Sequence, residues 1–485
     1  MSTKGDRRTF RNEDLVLKVT ANIDPNVWDE SKYEAFLDEL CGYREYQKDA
    51  IRTTLRYLLG GKYADVRTLA RENYNENTEL QERYGSWAGM QRQLQLPDQL
   101  SCSLDQATGT GKSYVLYGLA AILLAEGAVD RVLLLCPSNT IEDGLLKKFK
   151  DLASNANLRD TLPADARVET PKVINASETI VDGSICVENY HAILLNVKSS
   201  IRESLKGKGA RIAVLNDEAH HVANESGAKA RKWKEFLLDP DYGFTMVVGV
   251  SGTCYVGDEY FADAVHRYAL RQAIEEKFVK KVEYVDELPA AAENPEEKWQ
   301  LIYNRHKDWK KRLKSRQIRP LTIIVTKAIA DAQRVAEELQ DFLNEWEGIS
   351  SEQAKAKVLC VTSAPKHHPN IARLRMVDNP ASKVEWIVSV SMLSEGWDVK
   401  DVFQIVPHEE RALQAINRAS AWPRIASAGR LERRRTRGHR VQSRRLVGTD
   451  QAPGERNPGD RAAFDLVGGS EVAAELRTSH PRLYA

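Results

Sequence analysis

The sequence has few cysteines, no long apolar run and almost no net charge. Its six cysteines are scattered, without a CxxC pair, so we expect neither a disulfide framework nor a zinc site, and a reducing cytoplasm as the compartment. No apolar stretch is long enough to span a bilayer, and the polar opening MSTKGDRRTF cannot serve as a signal peptide. A net charge of +1 gives no global attraction to polyanions, although a basic groove still could.

Most of the 485 residues show an alternation of short β-branched runs and longer helical stretches. Apolar runs that lack polar alternation predict buried parallel strands at Val132–Cys136, Ile212–Leu215, Met246–Val250, Thr322–Val325, Lys357–Val361 and Trp386–Val390. Helical segments lie between them, such as Tyr114–Glu126, which is apolar almost all round and is followed by Gly127. This pattern predicts an α/β fold with parallel sheets.

Interruptions of this pattern predict the domain boundaries. The expected segments are an N-terminal segment at 1–42, a first domain at 43–279, a charged connector at 280–320, a partial second domain at 321–411 and a tail at 412–485. An insertion at about 60–97 is expected to form solvated helices without chemistry of their own. The sequence after Lys400 contains no lysine but many arginines, and the tail is expected to be disordered.

The strongest motif is the glycine-rich sequence QATGTGKS, which begins at Gln106 and leads into the apolar helix. Glycines let backbone N–H groups surround phosphates, and the dipole of the helix favours negative charge at its N-terminus. The residues expected to bind a nucleotide here are Thr108, Gly109, Thr110, Gly111, Lys112 and Ser113. Lys112 would contact the β- and γ-phosphates of ATP, and Ser113 would bind Mg²⁺. The alternative is a chance glycine-rich helix start, and Gln106 does replace the first glycine of the general pattern.

An apolar strand that ends in adjacent carboxylates follows about 100 residues later, in AVLNDEAHH. Asp217 is placed to hold Mg²⁺, usually through water, and Glu218 to orient and deprotonate an attacking water. His220 occupies the position of a γ-phosphate sensor. The letters DEAH alone could be a solvated turn, but the preceding strand and P-loop favour a catalytic motif.

These motifs resemble superfamily 2 DEAD/DEAH-box proteins, and most of all the motor subunit of type III restriction enzymes, from about Tyr43 to Arg411. The resemblance implies two RecA-like P-loop domains with ATP and Mg²⁺ between them, the second truncated here. It also implies ATP hydrolysis coupled to movement along duplex or single-stranded DNA, with a modification methyltransferase subunit as a further partner.

Several other roles rest on this resemblance alone. Gln47, in YREYQ, would read the adenine edge, and Ser251-Gly-Thr253 would couple hydrolysis to domain movement. The residues expected to contact the nucleic-acid backbone are Ser138, Asn139, Thr140, Thr362 and Ser363, and those expected from SEGWDV at the ATP cleft are Glu395, Gly396 and Asp398. For Ser138 to Thr140 an ordinary capped strand-to-helix turn remains open. His367 and His368 are expected to be surface histidines.

The last family motif, QxxGRxxR, is not intact. Gln414 and Arg418 have the right spacing, but Asn417 and Ala421 replace the glycine and the last arginine. One codon choice for Leu413–Ala426, read one nucleotide later, gives FKRSTAQVLGRGLR, which contains the full motif. We therefore expect a frameshift near Ala412; the alternative is a genuine basic arm that binds nucleic acid.

The resulting prediction is a DNA-stimulated ATPase of the restriction-motor type, impaired by the loss of that motif. Two alternatives stay open: a protein that binds Mg-ATP without turnover, and a helicase directed to RNA.

Overall fold

The computed structural model describes residues 10–193, 199–223, 228–257, 259–285, 295–362, 364–390, 401–408, 443–444 and 463–467. The chain divides into two compact units, Met1–Ala269 and Leu270–Ala485. Each unit is an α/β structure built on a sheet with parallel strands, which confirms the predicted fold class. No helix among these residues combines the length and hydropathy that a bilayer crossing requires. The finer segment boundaries stay predictions.

Unit 1 contains one extended parallel sheet. Its strands are β1 Leu100–Gln106, β2 Arg131–Cys136, β3 Lys172–Ile174, β4 Ser184–Asn189, β5 Ile212–Asp217, β6 Met246–Ser251 and β9 Ala264–Tyr268, and a separate hairpin joins β7 Tyr255–Val256 to β8 Glu259–Tyr260. The order in the sheet is β3-β4-β2-β5-β6-β1-β9, and the pairings within the described residues are parallel. The loops after β1, β5 and β6 therefore lie at the same edge of the sheet, where ligands of open α/β sheets bind.

Helices cover both faces of this sheet. They are α1 Asn12–Leu15, α2 Glu34–Cys41, α3 Glu45–Leu59, α4 Val66–Glu76, α5 Thr78–Tyr84, α6 Trp87–Gln91, α7 Lys112–Ala125, α8 Asn139–Ala153, α9 Ala156–Arg159, α10 Ile201–Leu205, α11 His220–Ala223 and α12 Ala228–Leu238. From Val115 to Ala125, α7 is buried on every side, as its all-round apolar sequence predicts.

The insertion forms helices, but the expectation that they are solvated is wrong. Val66, Leu69, Leu80 and Met90 of α4 to α6 are fully buried and belong to the core on the α7 side of the sheet. Each helix carries a few apolar residues among many polar ones, and the polar majority concealed this buried stripe. The insertion is therefore an integral part of unit 1.

Unit 2 contains a shorter parallel sheet. Its strands are β10 Lys281–Val285, β11 Leu321–Val325, β12 Val358–Val361, β13 Trp386–Ser389, β14 Val402–Pro407, β15 Ser443–Arg444 and β16 Ala463–Val467. Its helices are α13 Leu270–Glu275, α14 Pro295–Leu313, α15 Ile329–Glu347, α16 Ser351–Lys357 and α17 His368–Arg375. Parallel pairing joins β12, β13, β11 and β14 in that order, so this domain is the shortened one, as predicted.

The described parts of the tail are two short strands. β16 pairs antiparallel with β14 and β10, and β15 pairs with β10. These two segments differ from the expectation of a disordered tail, because the free edges of β14 and β10 accept their backbone hydrogen bonds. The remaining residues of the tail lie outside the described residues, and their predicted disorder stays a prediction.

A buried polar network fastens α14 to the sheet of unit 2. His306 is almost fully buried, with Nδ1 2.9 Å from Thr322 Oγ1 and Nε2 3.2 Å from Glu385 Oε2. Lys310 Nζ donates a 2.7 Å hydrogen bond to Glu385 Oε1. Burial lowers the pKa of His306; for Glu385, burial alone would raise the pKa, but hydrogen bonds from His306 and Lys310 bring it down to about 2.

We expect the free energy of unfolding of unit 2 to fall as the pH drops below about 6.5. Both groups have a folded pKa below their ordinary values of 6.5 and 4.5, so each contributes stability that is present above the ordinary value and lost on acidification. His306 responds first, by at most about 1.4 kcal/mol per pH unit, and Glu385 responds below about pH 4.5.

Thermal unfolding midpoints at about pH 7, 6 and 5 test this dependence. His306→Gln should flatten the change between pH 7 and 5, whereas Glu352→Gln, on the exposed side of α16, should leave it as in the unaltered chain. The same slope in His306→Gln would rule out the histidine as its source.

Candidate nucleotide-binding site

The glycine-rich loop lies between the end of β1 and the start of α7. Gly109 and Gly111 adopt the left-handed region, with φ of 83° and 80°. A Cβ at Gly111 would lie 2.5 Å from Gln47 Nε2, so a larger residue would displace the glutamine. Lys112 and Ser113 form the first turn of α7, where backbone N–H groups lack intrahelical partners and can bind phosphate.

Gln47 and Tyr46, at the start of α3, hold this loop from one side. Gln47 Nε2 donates a 2.7 Å hydrogen bond to the carbonyl oxygen of Thr110, and the Tyr46 hydroxyl donates one of 3.1 Å to the same atom. The Tyr46 ring stacks on Tyr268, with centroids 3.9 Å apart, and the Tyr268 carbonyl accepts from the Ala107 N–H. The structure therefore brings Gln47 to the nucleotide loop, while its adenine contact stays a prediction.

The P-loop lysine and the DEAH carboxylate are in direct contact. Lys112 Nζ forms an ion pair with Glu218 Oε1, and about 90% of each side chain is buried, with 11% and 10% exposed. Glu218 has a φ of 56°, an uncommon conformation for a residue other than glycine, which the surrounding contacts must maintain. Its N–H donates a 3.1 Å hydrogen bond to Asp217 Oδ1.

His220 connects the DEAH turn to the end of β6. Its Nδ1 lies 3.0 Å from Ser251 Oγ and 3.5 Å from Glu218 Oε2. Ser251 is the first residue of the predicted coupling motif, and its hydroxyl also accepts from the Thr253 N–H at 3.1 Å. The histidine is therefore hydrogen-bonded to one motif and close to the carboxylate of another.

Gly249 on β6 gives the DEAH turn the room that it occupies. A Cβ at position 249 would lie 2.6 Å from the Cβ of Ala219. Ala219 also donates its N–H to the Val250 carbonyl at 3.2 Å. The turn after Asp217 and Glu218 thus packs directly on the backbone of the neighbouring strand.

Ser113 and Asp217 form a donor set that suits Mg²⁺. The Ser113 hydroxyl is half-buried in the first turn of α7, and Asp217 is buried at the end of β5. A hydroxyl and a carboxylate oxygen are ligands that this hard cation takes while it keeps several waters. Thr108 is half-buried, Gly109 is exposed and Thr110 is buried in the loop beside them.

The residues expected to contact nucleic acid fall into two groups. Ser138 is the N-cap of α8, where its hydroxyl accepts from the Ile141 N–H at 3.4 Å, and Asn139 is exposed at the first helical position. Thr140 lies in the same turn, and its side chain is outside the description. Thr362 follows β12 and is fully buried. Ser363, Glu395, Gly396 and Asp398 lie outside the described residues, so these roles stay predictions.

His367 is not a surface histidine, so that prediction is wrong. It is 7% exposed, and its Nδ1 lies 2.7 Å from the Thr362 hydroxyl. Burial, and then the neighbouring Lys366, lower the pKa of His367. The turn that precedes α17 folds the ring back onto the end of β12, and the polar local sequence carried no sign of this.

Sequence reasoning also missed a buried ion pair under the nucleotide loop. Asp105, immediately before Gln106, pairs with Arg267 of β9 and accepts a 3.2 Å hydrogen bond from the Tyr260 hydroxyl. Arg267 Nε also donates to Glu13 Oε1 at 3.1 Å. Asp105 and Arg267 are 162 positions apart, so no local pattern indicates the contact, whereas Tyr46 could have been suspected beside Gln47.

A P-loop and a DEAH box at the ends of parallel strands, with lysine and glutamate in contact, define the site of a superfamily 2 helicase-type protein. Residues 40–255 match the family model described as "Type III restriction enzyme, res subunit". The predicted resemblance to restriction-enzyme motor subunits is therefore confirmed over that range. No curated protein matches the sequence.

Solved structures with related folds include several nucleic-acid-dependent motors. A fragment of an HsdR subunit of a type I restriction enzyme from Vibrio vulnificus YJ016 is 16% identical, with 76% of this chain and 58% of that chain covered and a TM-score of 0.43. The type ISP restriction-modification enzyme LlaBIII bound to DNA is 14% identical over 78% of this chain and 26% of that one, with a TM-score of 0.42. Dbp5 of S. cerevisiae, bound to RNA and ADP BeF3, is 14% identical over 72% and 79%, with a TM-score of 0.38.

Proposed function

We propose that the chain is an ATP-dependent DNA translocase-type ATPase of the type III restriction-motor class, impaired by the loss of its last motif. The observation that supports this most directly is the contact between Lys112 and Glu218, with His220 bonded to Ser251 beside it. A phosphate-binding lysine, a general base and a coupling serine thus meet at one sheet edge. The match of residues 40–255 to the res subunit supports the restriction-motor class and DNA as the polymer.

The arrangement performs hydrolysis through a change of partners. ATP binding draws the Lys112 ammonium from Glu218 to the β- and γ-phosphates, which leaves the Glu218 carboxylate able to orient and deprotonate the attacking water. His220 senses the γ-phosphate and transmits its loss to Ser251. Ser113 and Asp217 would hold Mg²⁺, which neutralises phosphate charge. The products are ADP and phosphate.

The alternative function, ATP binding without turnover, is favoured by one observation in the sequence. The arginine fingers of QxxGRxxR can supply about 10³–10⁵ in rate in related enzymes. Here Asn417 and Ala421 replace two residues of that motif. Sequencing the coding DNA across codons 400–430 decides whether a one-nucleotide shift restores it.

The test of the proposed function combines nucleotide binding with ATP turnover. We expect the full chain to bind ATP with Mg²⁺ and to show weak hydrolysis that duplex or single-stranded DNA stimulates. Stimulation should weaken steeply with salt, because phosphate contacts dominate the DNA affinity. Binding without turnover would favour the alternative, and stimulation by RNA in preference to DNA would indicate an RNA-directed helicase.

A further inference from the structure

Tyr190 connects two parts of unit 1 that the sequence motifs leave separate. It begins the 3-10 turn Tyr190–Ile193 directly after β4 and is fully buried. Its ring stacks on Trp233 of α12, with the centroids 4.5 Å apart and the planes at 27°. Its hydroxyl donates a 2.8 Å hydrogen bond to the backbone carbonyl oxygen of Asp217. A residue at the end of β4 thus contacts the backbone of the DEAH motif on β5.

The contacted carbonyl belongs to the peptide that orients both DEAH carboxylates. The next residue, Glu218, has a φ of 56°, and its N–H bonds to Asp217 Oδ1. A left-handed backbone at a residue with a Cβ persists only where its surroundings fix it. The Tyr190 hydroxyl supplies one such constraint, because it holds the Asp217 carbonyl in a single direction.

On its other side, Tyr190 is linked to the first turn of α8. Asn189 Nδ2 donates a 2.6 Å hydrogen bond to Glu142 Oε2, and Asn189 Oδ1 accepts one of 3.0 Å from the His191 N–H. The Asn189 amide therefore fastens the turn that carries Tyr190 to α8. The N-cap of that helix is Ser138, one of the residues expected to contact the nucleic-acid backbone.

We propose that Tyr190 is a positioning residue that couples nucleic-acid binding at the start of α8 to the DEAH carboxylates. A shift of the first turn of α8 moves Asn189 through Glu142, and the Tyr190 hydroxyl moves with the turn. This coupling rests on the proposed function, because it requires that nucleotide and nucleic acid both bind. The competing interpretation is a core tyrosine whose hydroxyl merely needs an acceptor. Such a tyrosine would contribute to stability without linking two ligands.

The test measures thermodynamic linkage on the full chain with Tyr190→Phe, which keeps the ring and its stacking on Trp233. The Kd of a fluorescent, non-hydrolysable ATP analogue is measured with Mg²⁺ in the absence and presence of saturating duplex DNA. The ratio of the two Kd values is the coupling factor, which is about 5–150-fold in typical allosteric systems. Tyr190→Phe should reduce this factor at least about threefold, the scale of one lost hydrogen bond.

The matched control is Tyr117→Phe, a buried tyrosine of α7 that packs edge-on against Phe149 in the other core cluster of the unit. It should leave the coupling factor unchanged. Asn189→Ala should lower the factor as Tyr190→Phe does, and the double variant should lower it no further, since both changes interrupt one path.

The outcomes separate the two proposals. Wild-type coupling in Tyr190→Phe, or an equal loss in Tyr117→Phe, overturns the positioning role. A wild-type chain that binds both ligands with a coupling factor of one also overturns it, but leaves nucleotide and DNA binding intact. A wild-type chain that binds neither ligand refutes the proposed function itself, and the coupling with it.

Discussion

Replacing Glu218 by glutamine is expected to reduce ATP turnover by about 10²–10⁴-fold, the range that a general base supplies. Glutamine has the shape of glutamate but cannot take a proton from the attacking water. The same change removes the negative partner of Lys112, whose ion pair with Glu218 competes with phosphate for the ammonium. We therefore expect ATP with Mg²⁺ to bind at least as tightly to the variant as to the unaltered chain.

Two readouts check this expectation: phosphate release with DNA present, and titration of a fluorescent ATP analogue. Glu235→Gln, on the exposed side of α12, is the matched control and should change neither. Lys112→Ala should lose both binding and turnover, because the phosphates lose their cation. If Glu218→Gln bound nucleotide more weakly, the ion pair would not compete with ATP. If it hydrolysed ATP normally, another residue would be the base.

Replacing Arg267 by methionine is expected to lower the free energy of unfolding of unit 1 by about 3–5 kcal/mol. The side chains of Arg267 and Asp105 are 18% and 6% exposed, so the substitution leaves a carboxylate buried without its partner. Methionine retains much of the arginine's apolar volume, and the loss therefore reports on the charge. Since Asp105 precedes the nucleotide loop directly, we also expect weaker ATP binding.

Denaturant unfolding followed by circular dichroism measures this change. Arg83→Met is the matched control, because the ion pair of Arg83 with Glu259 is more exposed, at 27% and 52%. Pairs of that kind contribute at most about 1 kcal/mol. Equal effects of the two substitutions would show that Asp105 retains adequate solvation without Arg267, through Tyr260 or water.

The sequence predicted the elements whose signals are local. Strands such as β2, β5 and β11 are continuous apolar runs, and they lie where those runs predict them. The P-loop and the DEAH box each combine a strand end with a short pattern of special residues, and their chemistry follows from those residues. Because the ends of parallel strands share an edge, the approach of Lys112 to Glu218 could be anticipated from the sequence alone.

What the sequence could not predict depends on contacts between distant positions. The pairs Asp105–Arg267 and Tyr190–Asp217 join residues on separate strands, and their charges or hydroxyls look ordinary in the linear sequence. Gln47 was assigned only through the family resemblance, since a glutamine on an amphipathic helix is usually exposed, yet it is buried. The core of the insertion was missed for a related reason: sparse apolar residues reveal a buried face only once their packing partners are known.

The close approach of Gly249 to Ala219 has a consequence for how this chain can vary over generations. Position 249 lies in a strand whose neighbours are interchangeable aliphatic residues, yet even alanine there would force the turn that carries Asp217 and Glu218 off the strand. Among descendants under selection for activity, this glycine should persist while Val247, Val248 and Val250 drift among aliphatic residues. Its replacement in a homologue would mark a lineage in which selection on the catalytic turn has ceased.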